Sequence, residues 1–269
     1  MNIVHQQKGF ATEPMCFSNE VYRQFANRVS RTLYSDLGYA QREAVEVSGQ
    51  LEAMLTENGS GAYPDIYDFL AGRGVRDRWN GVFYHCRSAA MAHWLLPHIR
   101  GTTIDLLCGS GKLGGILSEM GVLTTVTERD HVRDSYPSTE DSVTWLDHDT
   151  LTREAVPNSY DTVLLITALH HEADSEGLLQ FAVKLASKRV IIVENCVEPD
   201  LSNDLHILVD DFFNYGLNKT PLPCPAAHRS ADEWSKMLNG RGRVIFTDRR
   251  DSIPGILLSH HLLVAEVSR

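Results

Sequence analysis

The chain has 269 residues, of which 43% are hydrophobic and 22% charged, enough to bury a sizeable core and unlike a disordered or fibrous sequence. With 25 basic against 35 acidic side chains the net charge is −10, so the long-range field repels phosphate backbones and a nucleic-acid partner is not expected. No segment approaches the roughly 18 uncharged apolar residues that a membrane span needs, and residues 1–9 lack the apolar run of a secretory signal; the expectation is a soluble cytoplasmic protein.

The chain opens on helical periodicity. Val21, Phe25, Val29 and Leu33 recur every four residues, and Ala44, Val47, Leu51 and Met54 every three or four, until Gly59, Gly61 and Pro64 interrupt the pattern. A short helix over about 64–70 and a longer one over about 83–99 follow, so residues 1–100 read as a helical cap.

After Gly101 short apolar runs alternate with helices. Residues 102–107, 123–127, 143–146, 162–167 and 190–193 read as buried strands. Leu113, Ile116, Leu117 and Met120 form one helical face, stopped by Gly121, and Leu178, Phe181, Ala182 and Leu185 form another. This alternation implies an α/β fold, an open and mostly parallel sheet.

The end of the chain differs. Leu205, Leu208, Val209 and Phe212 line a helix, the proline-rich stretch 221–225 follows, and Ser230 with Glu233 spells a capping box before Trp234. Residues 244–247 and 261–267 then read as two strands with no helix between them, which suits an antiparallel closing pair. Residues 101–269 thus form the core, with an insertion at about 200–240.

The five cysteines, Cys16, Cys86, Cys108, Cys196 and Cys224, are odd in number and contain no Cys-x-x-Cys pair, so they read as reduced thiols. His206 and Asp210 stand at i and i+4, a metal-ligand spacing, but with no third ligand near in sequence they read as a solvated pair, and no metal is expected.

The strongest chemical signal is the run Asp105-Leu-Leu-Cys-Gly109-Ser-Gly111-Lys-Leu-Gly114, where the first strand turns into a helix. Glycines there allow close approach of the backbone to a ligand, and by themselves they suit any nucleotide. Glu128 ends the second strand, where a carboxylate can accept both ribose hydroxyl protons of an adenosine, and Asp149 follows the third. Strand ends in such a sheet face one crevice. A carboxylate at Asp105 would repel a pyrophosphate but suits an ammonium group.

With these residues the sequence resembles the class I S-adenosyl-L-methionine-dependent methyltransferases, over residues 102–269. The resemblance implies a Rossmann-like sheet of about seven strands whose last strand is antiparallel, with an N-terminal helical cap. It implies S-adenosyl-L-methionine as cofactor: Asp105, Gly109 and Gly111 at its methionine part, Glu128 at its ribose, Asp149 with Thr150 at its adenine. In one respect the sequence departs from the family, which has glycine where Leu107 stands. Tyr84 and Arg87 lie close enough in sequence to reach the cofactor carboxylate.

A small-molecule methyl acceptor is the expected partner, with oxygen, nitrogen or carbon as the receiving atom, in a setting such as secondary metabolism. His170 and His171, after the fourth strand, are the candidate bases. Phe212, Phe213, Tyr215, His228 and Arg229 form the expected acceptor pocket. A nicotinamide-dependent oxidoreductase and a non-catalytic scaffold with the same fold are the alternatives, and a homo-oligomer is compatible with the sequence.

Overall fold

The computed structural model describes residues 14–136, 139–220, 222, 225 and 227–267. The chain begins with the helices α1 (Asn19–Ser35), α2 (Gln41–Asn58), α3 (Tyr63–Gly72), α4 (Val75–Gly81) and α5 (Ser88–Leu95). Ser18 caps α1 by accepting the backbone N–H of Val21, and the four-residue spacing predicted there brings Val21, Phe25, Val29 and Leu33 onto one buried face. Between α4 and α5 the backbone widens into a π turn over Val82–Arg87.

The sheet region follows as β1 (Thr103–Asp105), α6 (Lys112–Glu119), β2 (Thr124–Glu128), α7 (Asp130–Arg133), β3 (Thr144–Asp147), α8 (His148–Glu154), β4 (Tyr160–Ile166), α9 (Ser175–Leu185) and β5 (Ala186–Glu194). It closes with α10 (Asn203–Asp211), a second π turn over Phe212–Leu217, α11 (Ala231–Asn239), β6 (Gly242–Arg250) and β7 (His260–Val267). Ser230 and Glu233 form the expected capping box at the start of α11.

Seven strands make one sheet in the order β3-β2-β1-β4-β5-β7-β6. All neighbouring pairs from β3 to β5 are parallel, and β7 runs antiparallel between β5 and β6. The central strands are covered on both faces, which is why Val190, Ile191, Ile192 and Val193 form an unbroken apolar run with no exposed surface. Each such side chain contributes about 1.5–3 kcal/mol relative to exposure. The outer strand β6 instead exposes most of its residues and carries Arg243, Asp248, Arg249 and Arg250, charges that discourage pairing with another edge.

Three apolar clusters organise the molecule. One joins α1 to α4 with α10 and its π turn, so the N-terminal helices and the segment after β5 share a core. The other two lie against the sheet, and Met91, Ala92, Trp94 and Leu95 of α5 belong to one of them, so the chain already packs on the sheet before residue 100. Strand order reverses between β1 and β4, where successive connections diverge and leave a crevice at the C-terminal strand ends. Among the described residues no helix is long and apolar enough to cross a membrane.

Candidate functional site

At the crevice, the turn after β1 is built from three residues with left-handed backbone: Leu107 (φ 54°), Gly109 (φ 63°) and Gly111 (φ 73°). A Cβ on Gly109 would stand 2.8 Å from the Tyr136 hydroxyl, and one on Gly111 would stand 2.5 Å from the Trp145 ring. Both positions therefore require glycine for space as well as for backbone angle. Leu107 holds the same angle with a Cβ, a conformation that costs roughly 1–2 kcal/mol in an L-residue. Thr167 (φ 54°), just beyond β4, is bent in the same way, so two strained residues flank the crevice.

The carboxylates converge on one cavity. Asp105 at the end of β1 and Glu128 at the end of β2 both line it, together with Tyr84, Arg87, Cys108 and Gly109. Glu128 accepts the backbone N–H of Gly109 at 2.9 Å and that of Arg129 at 2.8 Å. Burial pushes the Glu128 carboxyl up to about 7, although both hydrogen bonds favour its ionised form. Asp105 is 1% exposed, and its Oδ1 has no hydrogen-bond partner among the described residues. Burial raises it to about 7 as well, against the pull of Arg87.

Arg87 reaches this cavity because the π turn rotates it there with Phe83 and Tyr84. It donates to Thr167 Oγ1 at 3.1 Å and stacks over the Phe83 ring at 4.7 Å, while its Nε has no partner among the described residues. Burial lowers its pKa to about 10, which leaves it charged at neutral pH.

A second group of titratable residues closes the other end of the cavity. His170 is buried, with Nδ1 at 2.5 Å from Glu194 Oε2 and Nε2 at 3.5 Å from Asp210 Oδ1. Burial opposes a charge on His170, but Glu194 and Asp210 outweigh it and raise its pKa to about 10. His171 presents Nδ1 at 3.6 Å from Asp210 Oδ2 and lines the cavity. Behind them His228 stacks on His170 with ring centroids 4.8 Å apart, and burial holds its pKa down at about 3.

Methyltransferases are among the solved structures similar to this one. A chain of the complex between the Haloferax volcanii Trm112 methyltransferase activator and a putative methyltransferase is 13% identical, with a TM-score of 0.51, covering 76% of this chain and 98% of that one. The sheet order and the single antiparallel strand agree with that likeness. The chain has the class I methyltransferase fold. A Thermotoga maritima SAM-dependent methyltransferase, described as a possible histamine N-methyltransferase, is 14% identical at a TM-score of 0.49, over 76% of this chain and 99% of that one. The magnesium protoporphyrin IX methyltransferase of Synechocystis with bound SAH is 16% identical at 0.46, over 76% and 99%. No protein-family model matches the sequence, and no curated protein matches it.

Within this methyltransferase fold the sequence-predicted residues separate. Tyr84, Arg87, Asp105, Gly109, Glu128, His170, His171 and Phe213 line the cavity. Gly111 lies behind its wall, against Trp145. Asp149 and Thr150 are not brought to it: they sit in the first turn of α8, beyond β3, the outermost strand, and Asp149 is exposed. On the expected acceptor side, Phe212 is fully buried in the helical core and meets Phe25 and Trp79 edge to face. Tyr215 lies against Tyr63 and donates its hydroxyl to the Leu222 carbonyl. His228 is behind His170, and Arg229 stacks over Trp234 at 5.4 Å. These four belong to the packing around the cavity rather than its wall.

His206 and Asp210, expected as a solvated pair, are buried, and Asp210 faces the two histidines. The sequence reading missed Arg129, Tyr136, Glu172, Asn195, Asn214 and His260, all of which line the cavity. For Glu194 and Asn195 a signal existed: they directly follow the apolar run 190–193, at a strand end like those of Asp105 and Glu128. Pro221, Pro223 and Cys224 of the proline-rich stretch lie outside the described residues.

Proposed function

We propose that this chain is an S-adenosyl-L-methionine-dependent methyltransferase acting on a small-molecule acceptor. One observation carries the reading: Asp105 and Arg87, of opposite charge and each with a buried polar atom lacking a partner among the described residues, share a cavity with Glu128. An amino-acid end brings an ammonium and a carboxylate, which match Asp105 and Arg87 in sign and satisfy both orphaned atoms. Glu128, already holding the glycine turn, keeps acceptor capacity for ribose hydroxyls.

When bound, S-adenosyl-L-methionine supplies a sulfonium methyl group as electrophile. The chain's residues orient, exclude water and manage the acceptor's proton. Phe83, Phe213, Ile256 and Leu258 give the cavity its apolar wall, and in-line positioning there supports most of the rate. Proton handling falls to His171, at the corner that adjoins that wall, with His170 held beside it between Glu194 and Asp210. A nicotinamide cofactor fits less well, since a buried carboxylate at Asp105 opposes a pyrophosphate on the glycine turn.

Isothermal titration separates these readings. Saturable binding of S-adenosylhomocysteine, with none of reduced nicotinamide dinucleotide, is the expected outcome. No binding of S-adenosylhomocysteine at millimolar concentration would overturn the reading, and binding with no turnover across a broad acceptor panel would favour a scaffold instead.

A further inference from the structure

The corner formed by His170, His171 and Asp210 has more order than proton handling requires. One ligand-type atom from each residue lies within 4.8 Å of the other two, at the wall of the cavity. Asp210 Oδ1 stands 3.5 Å from His170 Nε2, and its Oδ2 stands 3.6 Å from His171 Nδ1. A cation bound at about 2.0–2.2 Å to imidazole and carboxylate donors in a tetrahedral arrangement spaces those donors by about 3.3 Å, so both imidazoles already stand near that spacing from the Asp210 carboxylate, and the three side chains must draw together from within 4.8 Å to share one ion.

Two further features point to a ligand. Glu194 holds Nδ1 of His170, which leaves Nε2 directed at Asp210. A carboxylate on the far nitrogen is the usual arrangement for an imidazole that binds a metal, because it fixes the ring and raises the basicity of the ligating nitrogen. The surroundings are also rich in buried acid: Glu194 is 1%, Asp211 7% and Asp210 8% exposed, and among the described residues neither Glu194 nor Asp211 pairs with a lysine or arginine. His170 and His171 are the basic groups that face Glu194 and Asp210, and a cation held at the same corner would serve these buried carboxylates in the same way.

From this cluster we infer that His170, His171 and Asp210 form a site for one divalent transition-metal cation, with Glu194 positioning His170 and an open coordination position facing the cavity. Two imidazoles and one carboxylate suit zinc, iron(II) or cobalt(II) rather than magnesium or calcium, which favour oxygen donors. A small molecule bearing a hydroxyl or carboxylate oxygen would complete the coordination, and that assignment of acceptor class rests on the methyltransferase reading; the metal site itself does not. Of the i, i+4 pair His206 and Asp210 only Asp210 belongs to this site. The remaining ligands come from the end of β4, nearly 40 residues earlier, and only the fold unites them.

The test is titration of chelator-treated full-length protein with cobalt(II), followed by visible d–d absorption and calorimetry. Wild type is expected to bind one cobalt per chain with the intense visible bands of a low-coordinate site. Asp210→Asn and His171→Ala should each weaken binding at least tenfold and lose those bands, and Glu194→Gln should weaken it by about 10–100-fold. Circular dichroism and S-adenosylhomocysteine binding on the same samples confirm that each variant folds; His171→Ala, at a half-buried position, keeps the test intact if Asp210→Asn does not. No stoichiometric cobalt, or equal binding by wild type and a folded variant, would overturn the site and leave an ion-paired histidine. Cobalt binding without S-adenosylhomocysteine binding would strike the methyltransferase reading alone.

Discussion

Glu128 and Gly109 are joined across 19 residues of sequence by one hydrogen bond, in which the carboxylate accepts the backbone N–H at 2.9 Å. This contact ties the end of β2 to the glycine turn after β1, so the residue proposed to bind ribose also sets the shape of the turn that cradles the rest of the cofactor. Hydrogen bonds to a charged acceptor are worth about 1.5–3 kcal/mol. Glu128→Gln keeps one carbonyl oxygen and so keeps the fold, but it removes charge and half of the acceptor capacity. S-adenosylhomocysteine affinity is expected to fall by at least tenfold in calorimetry, with a modest drop in melting temperature because one of the two backbone N–H groups, of Gly109 or Arg129, loses its acceptor. An unchanged dissociation constant would place the ribose elsewhere.

The raised acids at the site predict a pH dependence. Asp105 and Glu128 are both pushed up to about 7, chiefly by burial. An ammonium group and hydroxyl donors need the ionised carboxylates, so affinity for S-adenosylhomocysteine is level above about pH 8 and falls below about pH 7, by about tenfold per pH unit for each group that must ionise. For the ligand-free protein the sign is opposite. Folded-state values near 7, against ordinary values of 3.8 and 4.5, mean that the native state holds the extra protons, so these two groups destabilise it increasingly as pH rises from about 4 to about 7. Calorimetric titrations at pH 6 and pH 8 test the first statement, and equal affinity at the two would contradict it.

Much of this was legible in the sequence because it is governed by short-range rules. All seven strands arise where short apolar runs predict them, and the Ser230 capping box forms as its spacing requires. Asp105, Gly109 and Glu128 meet because strand ends of a parallel sheet share a side. Asp149, just beyond the end of β3, is not among the residues that line this cavity. Strand β3 is the outermost, two places from the β1/β4 opening, and sequence order does not reveal that distance. The aromatic segment after β5 is harder still, since a π turn decides which rings face inward: Phe213 and Asn214 reach the cavity while Phe212 turns into the core. The two π turns, at Val82–Arg87 and Phe212–Leu217, leave no mark in apolar periodicity, yet both supply the cavity wall.

Leu107 allows backbone strain to be weighed against packing. Its φ of 54° costs roughly 1–2 kcal/mol, which Leu107→Gly relieves, while the glycine adds about 0.5–1 kcal/mol of unfolded-state entropy and removes a partly buried side chain. These effects nearly cancel, so chemical denaturation should show the variant within about 1 kcal/mol of wild type. Leu106, with no exposed surface and ordinary backbone, has no such relief, and Leu106→Ala should cost about 2–5 kcal/mol. A loss at Leu107→Gly as large as that at Leu106→Ala would show that packing, not strain, governs the position.

The glycine turn can be probed with a matched pair of substitutions. Gly109 and Gly121 both have left-handed backbone, at φ 63° and 88°, so replacement by alanine costs either position roughly 1–2 kcal/mol. Their surroundings differ. A Cβ at Gly121 meets nothing within 4 Å, whereas at Gly109 it meets the Tyr136 hydroxyl at 2.8 Å, and Tyr136 lines the cavity beside Glu128. Gly109→Ala must therefore displace Tyr136 or the turn itself, and both disturb the proposed cofactor site. Gly121→Ala should lower the melting temperature and leave S-adenosylhomocysteine affinity unchanged, while Gly109→Ala should lower both, with affinity reduced by tenfold or more. If the two variants lose affinity equally, the loss tracks global stability, and the glycine turn has no special part in binding.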